Sequence, residues 1–189
     1  MDKVYLDAQG LLDDSFKLAL QIVESDFDPK FIVGVWRGGA PMGIAVQELL
    51  DHYGIKTDHI AIRTSSYVGM EQQKEVKVHG LEYIVANINA EDNLLIVDDV
   101  FDTGKSIEAI IREIKTRCRR NTPEKIKVAT VYFKPTKNKT DIVPDFYVHK
   151  TAEWLVFPHE LKGLTPDEIK NNKGLDLPTT LGRHSVKGK

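Results

Sequence analysis

Three carboxylates, a threonine, a lysine and a serine fall within the nine residues Asp98-Asp99-Val100-Phe101-Asp102-Thr103-Gly104-Lys105-Ser106. Acids this close repel one another unless a cation, a proton or a hydrogen-bond donor meets them. An ordinary capped turn is therefore a poor account of the run. Asp98, Asp99 and Asp102 suit ribose hydroxyls, a hard cation or a proton in flight. Thr103, Gly104, Lys105 and Ser106 suit a phosphate.

The elements around the run explain how it would be positioned. Leu94 to Val97 is an apolar stretch that predicts a buried parallel strand. Ile107, Ile110, Ile111, Ile114 and Cys118 recur at helical spacing, which predicts a helix beginning at the serine. A strand, a short loop and a helix N-terminus leave unpaired N–H groups facing outward, and these bind anions. Gly104-Lys105-Ser106 matches the end of a nucleotide-triphosphate P-loop. That motif needs glycine five positions earlier, where this chain has Asp99, so the P-loop reading fails.

The 189 residues suit one domain with a sizeable core. A formal charge of -2 and a pI near 6.3 give no general field for nucleic acid. A single cysteine, Cys118, excludes an internal disulfide and fits a reducing compartment. Met1 to Gly10 is polar, unlike a signal peptide, and no apolar run reaches membrane-spanning length. A cytoplasmic location is the expectation.

Upstream, Leu12, Phe16, Ala19 and Val23 predict a packing helix capped by Asp7 or Asp13. Phe31 to Val35 reads as the first core strand. Trp36-Arg37-Gly38-Gly39-Ala40-Pro41 follows, then a helix with Met42, Val46, Leu49 and Leu50 inward. Arg37 beside two glycines at a strand's end is a candidate anion loop, because glycines let backbone approach a ligand. Asp58 to Arg63 predicts another strand. After Thr64-Ser65-Ser66-Tyr67, the polar run Val68 to Lys77 reads as a solvated hairpin loop.

Ile126 to Phe133 alternates and is rich in β-formers. Pro135 ends that strand and leaves Lys134 at the sheet's carboxyl edge, where open α/β sheets bind ligands. Asp145 to Val148 is a last short strand. Trp154 is either part of a small core or a binding aromatic. Lys162 to Lys189 reads as a polar tail with a short helix over Thr165 to Lys170. Arg112, Lys115, Arg117, Arg119 and Arg120 mark a solvated helix end that the helix dipole favours. His52, His59, His79, His149 and His184 show no ligand spacing and receive no role.

The run Val97 to Ser106 resembles the phosphoribosyl-pyrophosphate (PRPP) motif of type I phosphoribosyltransferases. Three further motifs follow the family order: Trp36-Arg37-Gly38-Gly39, Ser65-Ser66-Tyr67, and Lys134 with Trp154. The resemblance covers roughly Phe31 to Glu160 and is strongest toward the hypoxanthine-guanine and xanthine-guanine enzymes. Phe157, His159 and the long tail depart from it.

The resemblance implies an α/β fold: a mostly parallel sheet with helices on both faces and a small hood. It implies one domain over residues 1–161, with a core of about 28–149, a hood from 1–27 and 150–161, and a tail over 162–189. Arg37, Gly38, Gly39 and Lys74 would take pyrophosphate, and a cis peptide would join Trp36 to Arg37. Thr103, Gly104, Lys105 and Ser106 would hold the 5-phosphate, and Asp98 and Asp99 the ribose and Mg²⁺. Asp102 would be the catalytic base. Lys134, Trp154, Leu155 and Val156 would bind the purine, under a lid bearing Ser66 and Tyr67. Val68 to Lys74 would be poorly ordered without ligand. The implied reaction moves phosphoribosyl from PRPP to N9 of a 6-oxopurine (hypoxanthine, guanine or xanthine) in a homodimer or tetramer. A PRPP-sensing regulator on the same fold, or a transferase for another base, are the rival readings.

Overall fold

A computed structural model describes residues 3–68, 74–176, 180–181 and 184–185. The chain divides into two compact units, Gln9–Ala152 and Met1–Ala8 with Glu153–Lys189. This differs from the hood and core boundaries expected above. Helix α1 (Ala8–Val23) groups with the larger unit, and the residues after 161 group with the smaller.

The larger unit is built on a six-stranded sheet in the order β4-β3-β2-β5-β6-β7. Its strands are β2 (Phe31–Trp36), β3 (Asp58–Val68), β4 (Lys74–His79), β5 (Leu94–Phe101), β6 (Ile126–Phe133) and β7 (Phe146–Lys150). All neighbours are parallel except β3 and β4, which form an antiparallel hairpin. Phe31 to Val35 and Leu94 to Val97 are buried throughout, as expected of central parallel strands covered on both faces.

One face packs on α3 (Glu82–Asn87) and α4 (Lys105–Cys118). There Val33, Ile62, Ile84, Ile96, Ile110 and Ile114 form the densest part of the core. Removing one such buried isoleucine to alanine costs about 2–5 kcal/mol. The sequence reading had no helix at α3, although Leu81, Ile84 and Ile88 carry its apolar spacing. Cys118, the last residue of α4, is buried, and burial pushes its thiol up.

The other face packs on α2 (Gly39–His52). A Cβ on Gly34 would lie 3.4 Å from the Gly39 carbonyl oxygen, and one on Gly43 would lie 3.5 Å from the Gly34 Cα. Strand and helix therefore meet backbone to backbone. Helix α1 lies beside α2, with the Ser15 hydroxyl 3.3 Å from the Met42 sulfur. Its buried face is Leu11, Asp14, Ser15, Leu18, Ala19 and Ile22. The expected stripe of Leu12, Phe16, Ala19 and Val23 is displaced. An ion-paired aspartate occupies the inner face, and Leu12 turns outward.

Strand β3 also runs past the expected Arg63 to Val68, because β4 pairs with its second half from Arg63↔His79 to Val68↔Lys74. Ser65, Ser66 and Tyr67 thus lie on a hairpin arm rather than in a loop. Poor order was expected over Val68 to Lys74; of these, residues 69–73 lie outside the described residues.

In the smaller unit, β1 (Lys3–Tyr5) pairs in parallel with β8 (Trp154–Val156). Helix α5 (Pro166–Lys173) runs past the Lys170 read from sequence to Lys173, and Gly174 in the left-handed region closes it. It starts with a capping box in which the Thr165 hydroxyl accepts from the Glu168 amide and the Glu168 carboxylate accepts from the Thr165 amide. Strands β9 (Thr180–Leu181) and β10 (His184–Ser185) form a short antiparallel pair.

Glu168 also accepts from Lys3 Nζ at 2.6 Å. That bond first, then the Thr165 amide, holds its carboxyl down at about 2, against an ordinary 4.5. A depressed folded pKa gives stability that is complete above the unfolded value and lost as pH falls through the folded one. The difference in thermal midpoint between wild type and Glu168→Gln is therefore expected to be constant above pH 4.5 and to close toward pH 2. Calorimetry across that range checks it, and a difference independent of pH removes the ion pair from the account.

Candidate active site

The carboxyl ends of β2 and β5 carry the first half of the site. The two strands are neighbours in register from Phe31↔Leu94 to Gly34↔Val97, so the loops that leave them face each other. A Cβ on Gly39 would sit 2.3 Å from the Val97 carbonyl oxygen and 2.8 Å from the Asp98 Cα. A Cβ on Gly38 would fall 1.7 Å from Asp99 Oδ2. Neither glycine has a positive φ; each is required for close approach. The peptide between Trp36 and Arg37 is cis, as expected from the resemblance. Trp36 and Arg37 are both exposed at the mouth of this loop.

The acids are partly turned inward. Asp98 Oδ1 accepts from the Asp99 amide at 2.9 Å, and the Asp98 carboxylate also accepts from the Gly39 amide. Asp99 Oδ1 accepts from the Val100 amide at 2.7 Å. Burial pushes the Asp98 carboxyl well above the usual carboxylate range, and Asp99 pushes it the same way. Asp98 is thus as much a clamp on the glycine loop as a ligand-facing group.

The second half follows directly. Gly104, with φ +78°, turns the chain from β5 into α4, and Thr103 to Ser106 form the helix entrance. Phe101 pairs with Phe133 in register, so the next residues along each strand, Asp102 and Lys134, come together. Lys134 Nζ lies 3.4 Å from Asp102 Oδ2. Lys134 is only 5% exposed, while the Asp102 carboxylate is partly open. An ammonium that deep is paired or functional.

Of the other expected site residues, Ser66 and Tyr67 sit on β3 opposite Val76 and Glu75. Lys74 opens β4, and its side chain is outside the described residues. Trp154, Leu155 and Val156 form β8 of the smaller unit, where Trp154 is 54% exposed and the other two are buried.

Sequence reasoning missed the support for the candidate phosphate loop. The Lys139 amide donates to the Thr103 carbonyl at 3.0 Å. Asn138 Oδ1 accepts from the Thr140 amide and hydroxyl, each at 3.0 Å, while Asn138 Nδ2 donates to the Ile142 carbonyl at 2.8 Å. A Cβ on Gly104 would strike Thr140 Oγ1 at 2.5 Å and Asn138 Oδ1 at 2.9 Å. The Asn-x-Thr pattern after a strand-ending proline was the available signal for an Asx turn. It also missed His149, whose Nε2 lies 2.7 Å from Asp14 and ties α1 to β7.

A profile of the phosphoribosyl transferase domain matches residues 3–162. The chain belongs to the phosphoribosyltransferase family. A hypoxanthine-guanine phosphoribosyltransferase of Streptococcus pyogenes serotype M3 is 28% identical over 149 residues, 77% of each chain. The purine phosphoribosyltransferase of Pyrococcus horikoshii Ot3 superposes with a TM-score of 0.67 at 31% identity, covering 87% of this chain and 99% of that one. The Helicobacter pylori xanthine-guanine-hypoxanthine enzyme, at 22% identity, shares the fold with a TM-score of 0.66 over 92% of this chain and 100% of its own.

Phosphoribosyltransferases of this family work with Mg²⁺, and the acids here fit such an ion. Among the described residues no group of three His, Cys, Asp or Glu side chains forms an all-protein cage. Magnesium does not ask for one, since it keeps several waters and takes one or two carboxylates plus substrate oxygens. Asp98 and Asp99 would supply that pair, and a cation there would offset the burial and the Asp99 repulsion that raise Asp98.

The glycine contacts give a direct test. Gly39→Ala meets the β5 backbone first, at the Val97 carbonyl oxygen and the Asp98 Cα, so it is expected to destabilise the protein by about 1–3 kcal/mol. Gly38→Ala meets the movable Asp99 side chain and is expected to cost less. Denaturant midpoints read both, and a wild-type midpoint for Gly39→Ala contradicts the contact.

Proposed function

We propose that this phosphoribosyltransferase moves the 5-phosphoribosyl group of PRPP to N9 of a 6-oxopurine, giving the nucleoside monophosphate and pyrophosphate. The observation that carries the reading is the buried Lys134 ammonium beside Asp102 at the strands' carboxyl edge. The names of the Streptococcus pyogenes and Pyrococcus horikoshii relatives support the purine class.

The 5-phosphate sits on the amides and hydroxyls of Thr103, Gly104, Lys105 and Ser106 at the entrance to α4. Arg37, the Gly38 and Gly39 loop and Lys74 receive the pyrophosphate. Asp98 and Asp99 face the ribose hydroxyls and would hold Mg²⁺, which would supply positive charge against the leaving pyrophosphate. As the bond from ribose C1 to pyrophosphate breaks, N9 of the base bonds to C1 from the opposite face. The proton on N7 passes toward Asp102. The β3–β4 hairpin, with Ser66 and Tyr67, shields the reaction from water. Trp154 stacks on the base, and the backbone of Leu155 and Val156 reads its 2-position. The enzyme acts as a cytoplasmic homo-oligomer.

Lys134 has N–H donors only. A 6-oxopurine offers it an oxygen acceptor, whereas adenine offers a second donor and leaves a buried charge without its partner. Hypoxanthine and guanine are therefore expected to exceed adenine in kcat/KM by about 10⁴-fold or more, with xanthine ranked by the same assay. Equal rates with adenine and hypoxanthine overturn the role of Lys134. Asp102→Asn is expected to lower kcat by roughly 10²–10⁴-fold while PRPP still binds. Near-normal turnover in that variant removes Asp102 as the base.

A further inference from the structure

Helix α5 (Pro166–Lys173) lies beyond the residues that the family profile matches, 3–162, and nothing in the mechanism uses it. It is nevertheless fastened at both ends within the smaller unit. At its first turn Glu168 binds Lys3 Nζ at 2.6 Å, and the Tyr5 hydroxyl also donates to that carboxylate. Lys3 and Tyr5 are the two ends of β1. At its last turn Lys173 Nζ donates to the Phe157 carbonyl at 2.6 Å, directly after β8. The same ammonium stands 5.9 Å from the centre of the Tyr5 ring.

A lysine at a helix C-terminus ordinarily stays in water, where the dipole already favours it. Lys173 instead gives up hydration to reach a main-chain carbonyl, and burial lowers its pKa accordingly. The strand it holds needs holding. β8 has three residues and pairs with β1 through Lys3↔Trp154, Val4↔Leu155 and Tyr5↔Val156. A two-stranded ribbon of that length is marginal on its own. Helix α5 therefore acts as a splint across both strands.

We propose that α5 is a positioning element for the purine, with Lys173 as the residue that fixes the Trp154 to Phe157 backbone in the geometry that receives the base. The inference rests on the proposed role of Trp154, Leu155 and Val156 in binding the base. It assigns a function to a segment that the transfer chemistry leaves unused. Lys173 touches no reacting atom; it acts through the Phe157 carbonyl.

Steady-state kinetics with PRPP, Mg²⁺ and hypoxanthine test it on wild type, Lys173→Met and Lys173→Arg. Loss of one charge-assisted hydrogen bond predicts a rise of about tenfold in the KM for hypoxanthine. The KM for PRPP stays within about twofold, since the phosphate sites belong to the other unit. Lys173→Arg keeps a cation in reach and restores most of the base affinity. An unchanged KM for hypoxanthine in folded Lys173→Met overturns the proposal, as does a parallel rise in both KM values. If Lys173→Met does not fold, Glu168→Gln cuts the other end of the splint: a selective rise supports the proposal and its absence overturns it. Wild type that turns over no purine defeats the base-binding reading and this proposal with it. That failure shows before any variant is made.

Discussion

Everything at this site depends on two loops being allowed to touch. The turn after β2 and the acidic end of β5 lie so close that a single methyl group on Gly39 would overlap the β5 backbone. Their contact is polar as well as steric, because the Gly39 amide is bound by Asp98. The roles proposed for pyrophosphate, ribose and metal are spread over these two loops, so the spacing of the loops would set how PRPP is received. The parallel register of β2 and β5 brings the loops together, and the buried apolar strands hold that register against slippage.

A second consequence of register is the meeting of Lys134 with Asp102. Neither residue is near the other in sequence, yet Phe101↔Phe133 makes them successive neighbours across two strands. A buried ammonium beside a partly open carboxylate is electrostatically costly, which marks the pair as a candidate functional site. The Asn138 and Thr140 turn, lying on Gly104, holds the loop that enters α4 on the same edge. The candidate catalytic and binding groups of this sheet edge thus sit on strand ends and short turns rather than on long loops, where their positions would be less defined.

Much of this was legible in the residues. Continuous apolar runs before Trp36 and Asp98 announced central parallel strands. The Asp-Thr-Gly run announced a helix entrance suited to phosphate, and Pro135 placed Lys134 at the correct edge. What was not legible depended on tertiary partners. The length of β3 is set by β4, whose polar residues look like loop until they have a strand to pair with. The buried face of α1 is set by Asp14, which tolerates burial only because Lys17 and His149 reach it from two directions. The helix over Thr165 to Lys170 was legible, but its docking was not, because its anchors at Lys3 and the Phe157 carbonyl come from outside the segment.

Cys118 has a quieter consequence. It closes the C-terminal end of α4, and its thiol is both covered and raised in pKa by burial. Reactive cysteines are exposed thiolates, and this one is covered. Sulfenylation or glutathionylation of a thiol so placed is expected to need local opening of α4 first.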